Sequence, residues 1–270
     1  MKPPNGLQLI GAFCAYMEMR GLSTHTIRRR RSSLGTFAKW VEPLSIEQAD
    51  ADHVESWLST QSAPRTRHAY RSDLSAFYQW GVRRKVMPTN PVAETDSIRV
   101  PKAMPRPVPI GSVPAIIDAA PTERLRLALM LAAYAGLRRA EITSITGGDV
   151  QFFPVPLLMV RSGKGSKDRM VPLHPALRLE LDRPLPAGRL VPWSPDRLGK
   201  VAAEHMRRMG FDCTLHQLRS SFATELARVM DGNIVAVGKV LGHESPQTTM
   251  GYCGWGGGET ASKLPGLYVA

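Results

Sequence analysis

Apolar positions recur at helical spacing through the first third of the chain. In "LSTHTIRRRRSSLGTFAKWV", Ile27, Leu34, Phe37 and Val41 fall on one stripe near the helical period, and Ser23 or Thr24 stands where an N-cap belongs. Forty residues on, "TRHAYRSDLSAFYQW" repeats the layout: Thr26, Arg31, Ser32, Leu34, Phe37 and Trp40 recur as Thr66, Arg71, Ser72, Leu74, Phe77 and Trp80. The pattern is either an internal repeat or two amphipathic helices meeting the same needs, and one pair of copies is too few for a solenoid. Residues 1–96 are thus expected to form a helical domain.

Periodicity then stops. "SIRVPKAMPRPV", residues 97–108, is rich in proline and basic residues and reads as an extended linker. Beyond it, in residues 109–270, "TERLRLALMLAAYAGL" predicts a strongly apolar helix ending near Gly136. "VPLLMVRSGKGSKDRMVPL" predicts two short strands joined by a turn, and "TLHQLRSSFATELARVM" resumes a helix. The fold class expected is mainly α, in two domains, the second a mixed but mainly α domain with a small β-hairpin or sheet.

Composition narrows this picture. The hydrophobic share of 43% fits a globular chain, and no apolar run approaches the roughly 18–20 residues of a membrane span. The start, "MKPPNGLQLIGAF", lacks a secretory pattern, so a cytoplasmic protein without a membrane partner is expected. Cys14, Cys213 and Cys253 stand apart and form neither a disulfide framework nor paired zinc ligands. Charge says more. The chain carries 35 basic and 23 acidic side chains, a net of +12, with 13 against 9 in residues 1–96 and 22 against 14 in residues 97–270. Both parts are basic, which points to a polyanionic partner, nucleic acid above all. Within that excess, the run Arg28, Arg29, Arg30 and Arg31, together with Arg71, is a candidate phosphate-contacting surface, with a solvated helix face as the plainer reading.

Candidate chemistry lies in the second domain. In "AGLRRAEI", Arg138 and Glu141 are spaced i,i+3, so the carboxylate can orient the guanidinium. "SGKGSKDR" is not a nucleotide-binding P-loop: Leu158 stands where that motif needs Gly, and Gly165 where it needs Ser or Thr. It fits a hairpin tip presenting Lys164 and Lys167 instead. "HQLR" places His216 and Arg219 one helical turn apart, and "LGHESPQTTMGY" adds His243 and Tyr252. Two arginines, a lysine, two histidines and a tyrosine are the parts for metal-free phosphoryl transfer. Guanidinium forks match phosphate oxygens, and a tyrosine hydroxyl can serve as nucleophile when a base or nearby cations assist it.

In order, "GLRRAE", "GKGSKDR", "HQLRSSFAT" and "LGHESPQTTMGY" resemble the tyrosine recombinase family, the phage-integrase and Xer-like strand-exchange enzymes. The resemblance spans almost the whole second domain, and the helical first domain is similar, less specifically, to the family's core-binding domain. It implies a C-shaped clamp on double-stranded DNA at core-type recombination sites, without an added arm-type module. Arg138 and Arg219 would clamp the phosphate, Lys164 protonate the leaving 5′ oxygen, His216 act in acid–base exchange, His243 support the phosphate, and Tyr252 attack it; Glu141 would stand behind the first arginine. Strand exchange would pass through a 3′-phosphotyrosyl link, with no metal, ATP or other cofactor, in a homotetramer on two duplexes. A directionality factor or a host DNA-bending protein would be accessory, and the setting would be the nucleoid of a bacterial host. Ser220 stands where relatives often carry a second histidine. A phage or mobile-element integrase is the principal reading. A Xer-type resolution enzyme, a type IB topoisomerase and a non-catalytic helix-turn-helix regulator are the alternatives.

Overall fold

The computed structural model describes residues 6–101, 107–161, 168–243 and 249–250. Three of the candidates, Lys164, Lys167 and Tyr252, lie outside the described residues. The chain divides into two compact units, Met1–Ala103 and Met104–Ala270, each with an apolar core of its own.

The first unit is helical, with α1 (Gly6–Met19), α2 (Thr24–Trp40), α3 (Ala51–Ser59) and α4 (Pro64–Arg83). Ser23 is the N-cap of α2, its hydroxyl accepting the Thr26 N–H at 3.1 Å. The repeated stripe is the core: Leu34, Phe37, Leu74 and Phe77 are all completely buried. The parallel weakens at its end, because Trp80 is buried while Trp40 is 41% exposed. One carboxylate is enclosed with them. Asp73, on α4, accepts from Arg29 Nη2 at 2.7 Å and from Ser33 Oγ at 2.9 Å, both on α2, so the buried charge is paired as burial demands.

The second unit runs α5 (Val113–Asp118), α6 (Glu123–Tyr134), α7 (Arg139–Ile142), β1 (Val150–Gln151), β2 (Leu157–Val160), β3 (Arg169–Pro172), α8 (Pro175–Leu181), α9 (Pro195–Arg208), α10 (Leu215–Val229) and α11 (Ile234–Leu241). Thr122 caps α6, and every residue from 127 to 133 is buried. An α-helix apolar on all sides belongs at the centre of a domain, and α5, α8, α9 and α10 pack around it. Gly136, at φ +62°, turns the chain out of α6 toward α7. The predicted hairpin is present as antiparallel β2 and β3, with Val160 opposite Arg169. A third strand, β1, pairs with β2; two residues are too few to show a period in sequence. Along β3, Arg169 and Val171 face inward while Met170 and Pro172 face out. Among the described residues, no helix is long and apolar enough to cross a membrane.

Candidate active site

Glu141 is the centre of a charged cluster built from four elements of the second unit. The Gly136 turn delivers Arg138 to the N-cap position of α7, with an extended backbone. From there its N–H donates to Glu141 Oε2 at 2.6 Å, its Nη1 to Glu141 Oε1 at 3.0 Å and its Nη2 to the Gly242 carbonyl at 2.9 Å. Arg169 arrives from β3 and grips the same carboxylate with both arms, Nη1 to Oε1 at 2.8 Å and Nη2 to Oε2 at 3.0 Å. Its Nε donates to the Val240 carbonyl at 2.8 Å. Arg219 comes from the first turns of α10 and is almost wholly buried. Its Nη1 lies 3.7 Å from Glu141 Oε2 and donates to the Gly136 carbonyl, while Nη2 donates to the Leu241 carbonyl at 2.8 Å.

One carboxylate thus faces three guanidiniums, which leaves the cluster with an excess of positive charge. Burial works to raise the Glu141 carboxyl, but the Arg169 hydrogen bonds, the Arg138 amide and the two arginine charges outweigh it and hold the group below the usual carboxylate range. The remaining excess suits an anion.

Two imidazoles border the cluster. His243 directly follows Gly242, whose left-handed φ of +65° ends α11. Its Nε2 lies 3.3 Å from Arg219 Nη2, and its Nδ1 2.9 Å from Thr249 Oγ1. A guanidinium only donates, so Nε2 accepts and the ring proton sits on Nδ1, facing Thr249. Burial, followed by the charges of Arg219, Arg138 and Arg169 and by His216, pushes His243 down to about 4. His216, at the start of α10, is exposed on one side; partial burial and then the Arg219 and Arg138 charges lower its pKa as well. Both rings are favoured in the neutral form.

The family model for the phage integrase family matches residues 111–254, and that for the phage integrase N-terminal SAM-like domain matches residues 10–85. The chain belongs to the phage integrase family. It is 29% identical to the tyrosine recombinase XerC of Myxococcus xanthus, over 90% of this chain and 92% of that one. It is 28% identical to the tyrosine recombinase XerA of Pyrococcus horikoshii, over 90% and 88% of the two chains. In fold it is similar to a lambda integrase dimer solved bound to a COC′ core site, with a TM-score of 0.74 at 19% identity, covering 90% of this chain and 75% of that one.

In this integrase-family chain, then, Arg138, Glu141, His216, Arg219 and His243 come together, whereas Lys164 and Tyr252 fall outside the described residues. Sequence reading missed Arg169. The signal was present in "SKDRMVP", where Arg169 and Val171 alternate with outward positions at the start of a strand. Of the first-unit candidates, Arg29, Arg30, Arg31 and Arg71 have partners within their own unit. Arg29 and Arg30 reach Asp73, Arg31 Nε donates to Cys14 Sγ at 3.3 Å, and Arg71 donates to Thr95 Oγ1 and to the Val92 and Thr95 carbonyls. Four consecutive residues also turn around a helix rather than lining one face. Arg28 is exposed.

Proposed function

We propose that this chain is a site-specific DNA recombinase that cuts and rejoins double-stranded DNA through a 3′-phosphotyrosyl intermediate, acting as the integrase of a phage or other mobile element. Tyr252 Oη attacks the scissile phosphorus and its proton passes to His216. The bond from phosphorus to the 5′ oxygen breaks, and Lys164 gives that oxygen a proton. A 5′ hydroxyl of the partner duplex then attacks the phosphotyrosyl link, with the proton transfers reversed and Tyr252 released. One phosphodiester replaces another, so the exchange needs no external energy source. Arg138 and Arg219 bind the phosphate oxygens and the charge that gathers on them in the transition state. His243, neutral and hydrogen-bonded to Arg219, supports that clamp.

The observation carrying this reading is the gathering of Arg138, Arg219, His216 and His243 around one buried carboxylate, with charge to spare for a phosphate. Partners proposed with it are core-type DNA sites, a homotetramer on two duplexes and an accessory directionality or DNA-bending protein. The test is covalent trapping on a nicked duplex that the protein selects from a randomised pool. Wild type should give an SDS-resistant adduct and Tyr252→Phe none; binding without any adduct would falsify the catalytic assignment in favour of a DNA-binding regulator. An equal adduct from Tyr252→Phe would move the nucleophile elsewhere.

Similarity to Xer recombinases over nine-tenths of this chain supports a second reading, resolution of chromosome dimers. Recombination between two copies of one selected site in a circular plasmid supports it, whereas a requirement for two dissimilar sites supports the integrase.

A further inference from the structure

The three arginines share more than Glu141. They take the carbonyls of three successive residues at the end of α11, Arg169 that of Val240, Arg219 that of Leu241 and Arg138 that of Gly242. The negative end of a helix dipole and a buried carboxylate are thereby joined through guanidiniums, and His243 is the next residue along. Within this set Arg169 stands apart. Its side chain is buried like that of Arg219, 7% and 3% exposed against 42% for Arg138, but of the three it is the one whose fork is spent on both oxygens of Glu141. It also lies across Gly242, where an added Cβ would come 2.9 Å from its Nη1 and 3.0 Å from its Cδ.

We propose that Arg169 is a positioning residue for the phosphate clamp, fixing the Glu141 carboxylate and the end of α11 so that Arg138, Arg219 and His243 meet one phosphate. This rests on the recombinase reading above. Without Arg169, Glu141 is held by Arg138 alone and is free to close the 3.7 Å gap to Arg219, and the Val240 carbonyl loses its donor. Lysine is no substitute, since a single ammonium cannot hold two carboxylate oxygens and a carbonyl in fixed directions. A clamp misplaced by about 1 Å loses on the order of a hundredfold in rate.

Arg169→Lys and Arg169→Met in the full chain test this, alongside Gly242→Ala, which leaves Arg169 in place but presses on it. Single-turnover adduct formation is measured on the selected duplex, its scissile position mapped with wild type. That position carries in turn an ordinary phosphodiester, a neutral methylphosphonate and a 5′-bridging phosphorothiolate, with each rate expressed relative to wild type on the same substrate. Duplex affinity and melting temperature are followed in parallel. Expected is a loss of about a hundredfold on the phosphodiester, with affinity held within about threefold because Arg169 is buried against Glu141 and is not itself a duplex contact. The loss should shrink at least tenfold on the methylphosphonate, which has no charge for the arginines to hold, and persist on the phosphorothiolate. Equal losses on all three substrates overturn the proposal, since they mark a general loss of fold. Rescue by the phosphorothiolate also overturns it, placing Arg169 on the leaving-group side, as does full activity in Arg169→Lys. A wild type that gives no adduct fails the recombinase reading itself, separately from any variant.

Discussion

His243 shows how strongly a single residue's surroundings set its chemistry. An imidazole ordinarily gains its proton near 6.5, whereas His243 does so near 4, first through burial and then through the arginines beside it. The unfolded chain therefore takes up a proton at this position below about pH 6.5 that the folded chain refuses until about pH 4. Stability from this residue is complete above about 6.5 and is lost progressively as pH falls toward 4. Over that window wild type should lose melting temperature more steeply than His243→Gln, while His216, common to both, cancels in the comparison. Parallel slopes would overturn this, showing that His243 takes up its proton in the folded protein over the same pH range as in the unfolded chain. The i,i+3 pair Arg138 and Glu141 was legible in sequence, and so was the His216 and Arg219 pair, because one helical turn brings each together. That Glu141 also serves Arg169 was not legible. The two are 28 residues apart in sequence, and their meeting depends on which way a four-residue strand faces.

Elements were legible where a period had room to run. The stripe on α2 and α4 and the apolar α6 are core as expected, while the two-residue β1 and the four-residue α7 carry too little pattern to be seen. The glycines show what joins the elements. Gly136 has φ +62°, and a Cβ there would fall 2.4 Å from Phe222 Cδ1 on α10. Gly136→Ala should cost about 2–4 kcal/mol, combining the left-handed backbone with overpacking, and should disturb Arg219, which donates to the Gly136 carbonyl. Gly35, inside α2, has nothing within 4 Å of such a Cβ, so Gly35→Ala should stabilise by about 0.5–1 kcal/mol. Urea unfolding of both variants checks the contrast. A Gly136→Ala loss below that of an ordinary surface change would mean the turn relaxes freely.

At the scale of the whole molecule the basic excess divides evenly. Residues 1–103 carry 15 basic and 9 acidic side chains and residues 104–270 carry 20 and 14, so each unit has a net of +6. Each unit also closes its own core, which is the condition for a segment to fold alone. A fragment of residues 1–103 should therefore unfold cooperatively and bind duplex DNA by itself. Phosphate neutralisation releases counterions, and the logarithm of affinity falls with the logarithm of salt in proportion to the phosphates engaged. Charge alone does not fix that number, because Arg29, Arg31 and Arg71 are already engaged with Asp73, Cys14 and the 92–95 turn. Equal net charge nonetheless predicts comparable shares, so the fragment's salt slope on a non-specific duplex should be roughly half that of the full chain. Fluorescence anisotropy across a salt series measures both slopes. A fragment slope near zero would place the phosphate contacts in the second unit, around the three arginines and Glu141. A fragment slope equal to the full chain's would instead leave that cluster as a site for one phosphate on a duplex already held by the first unit.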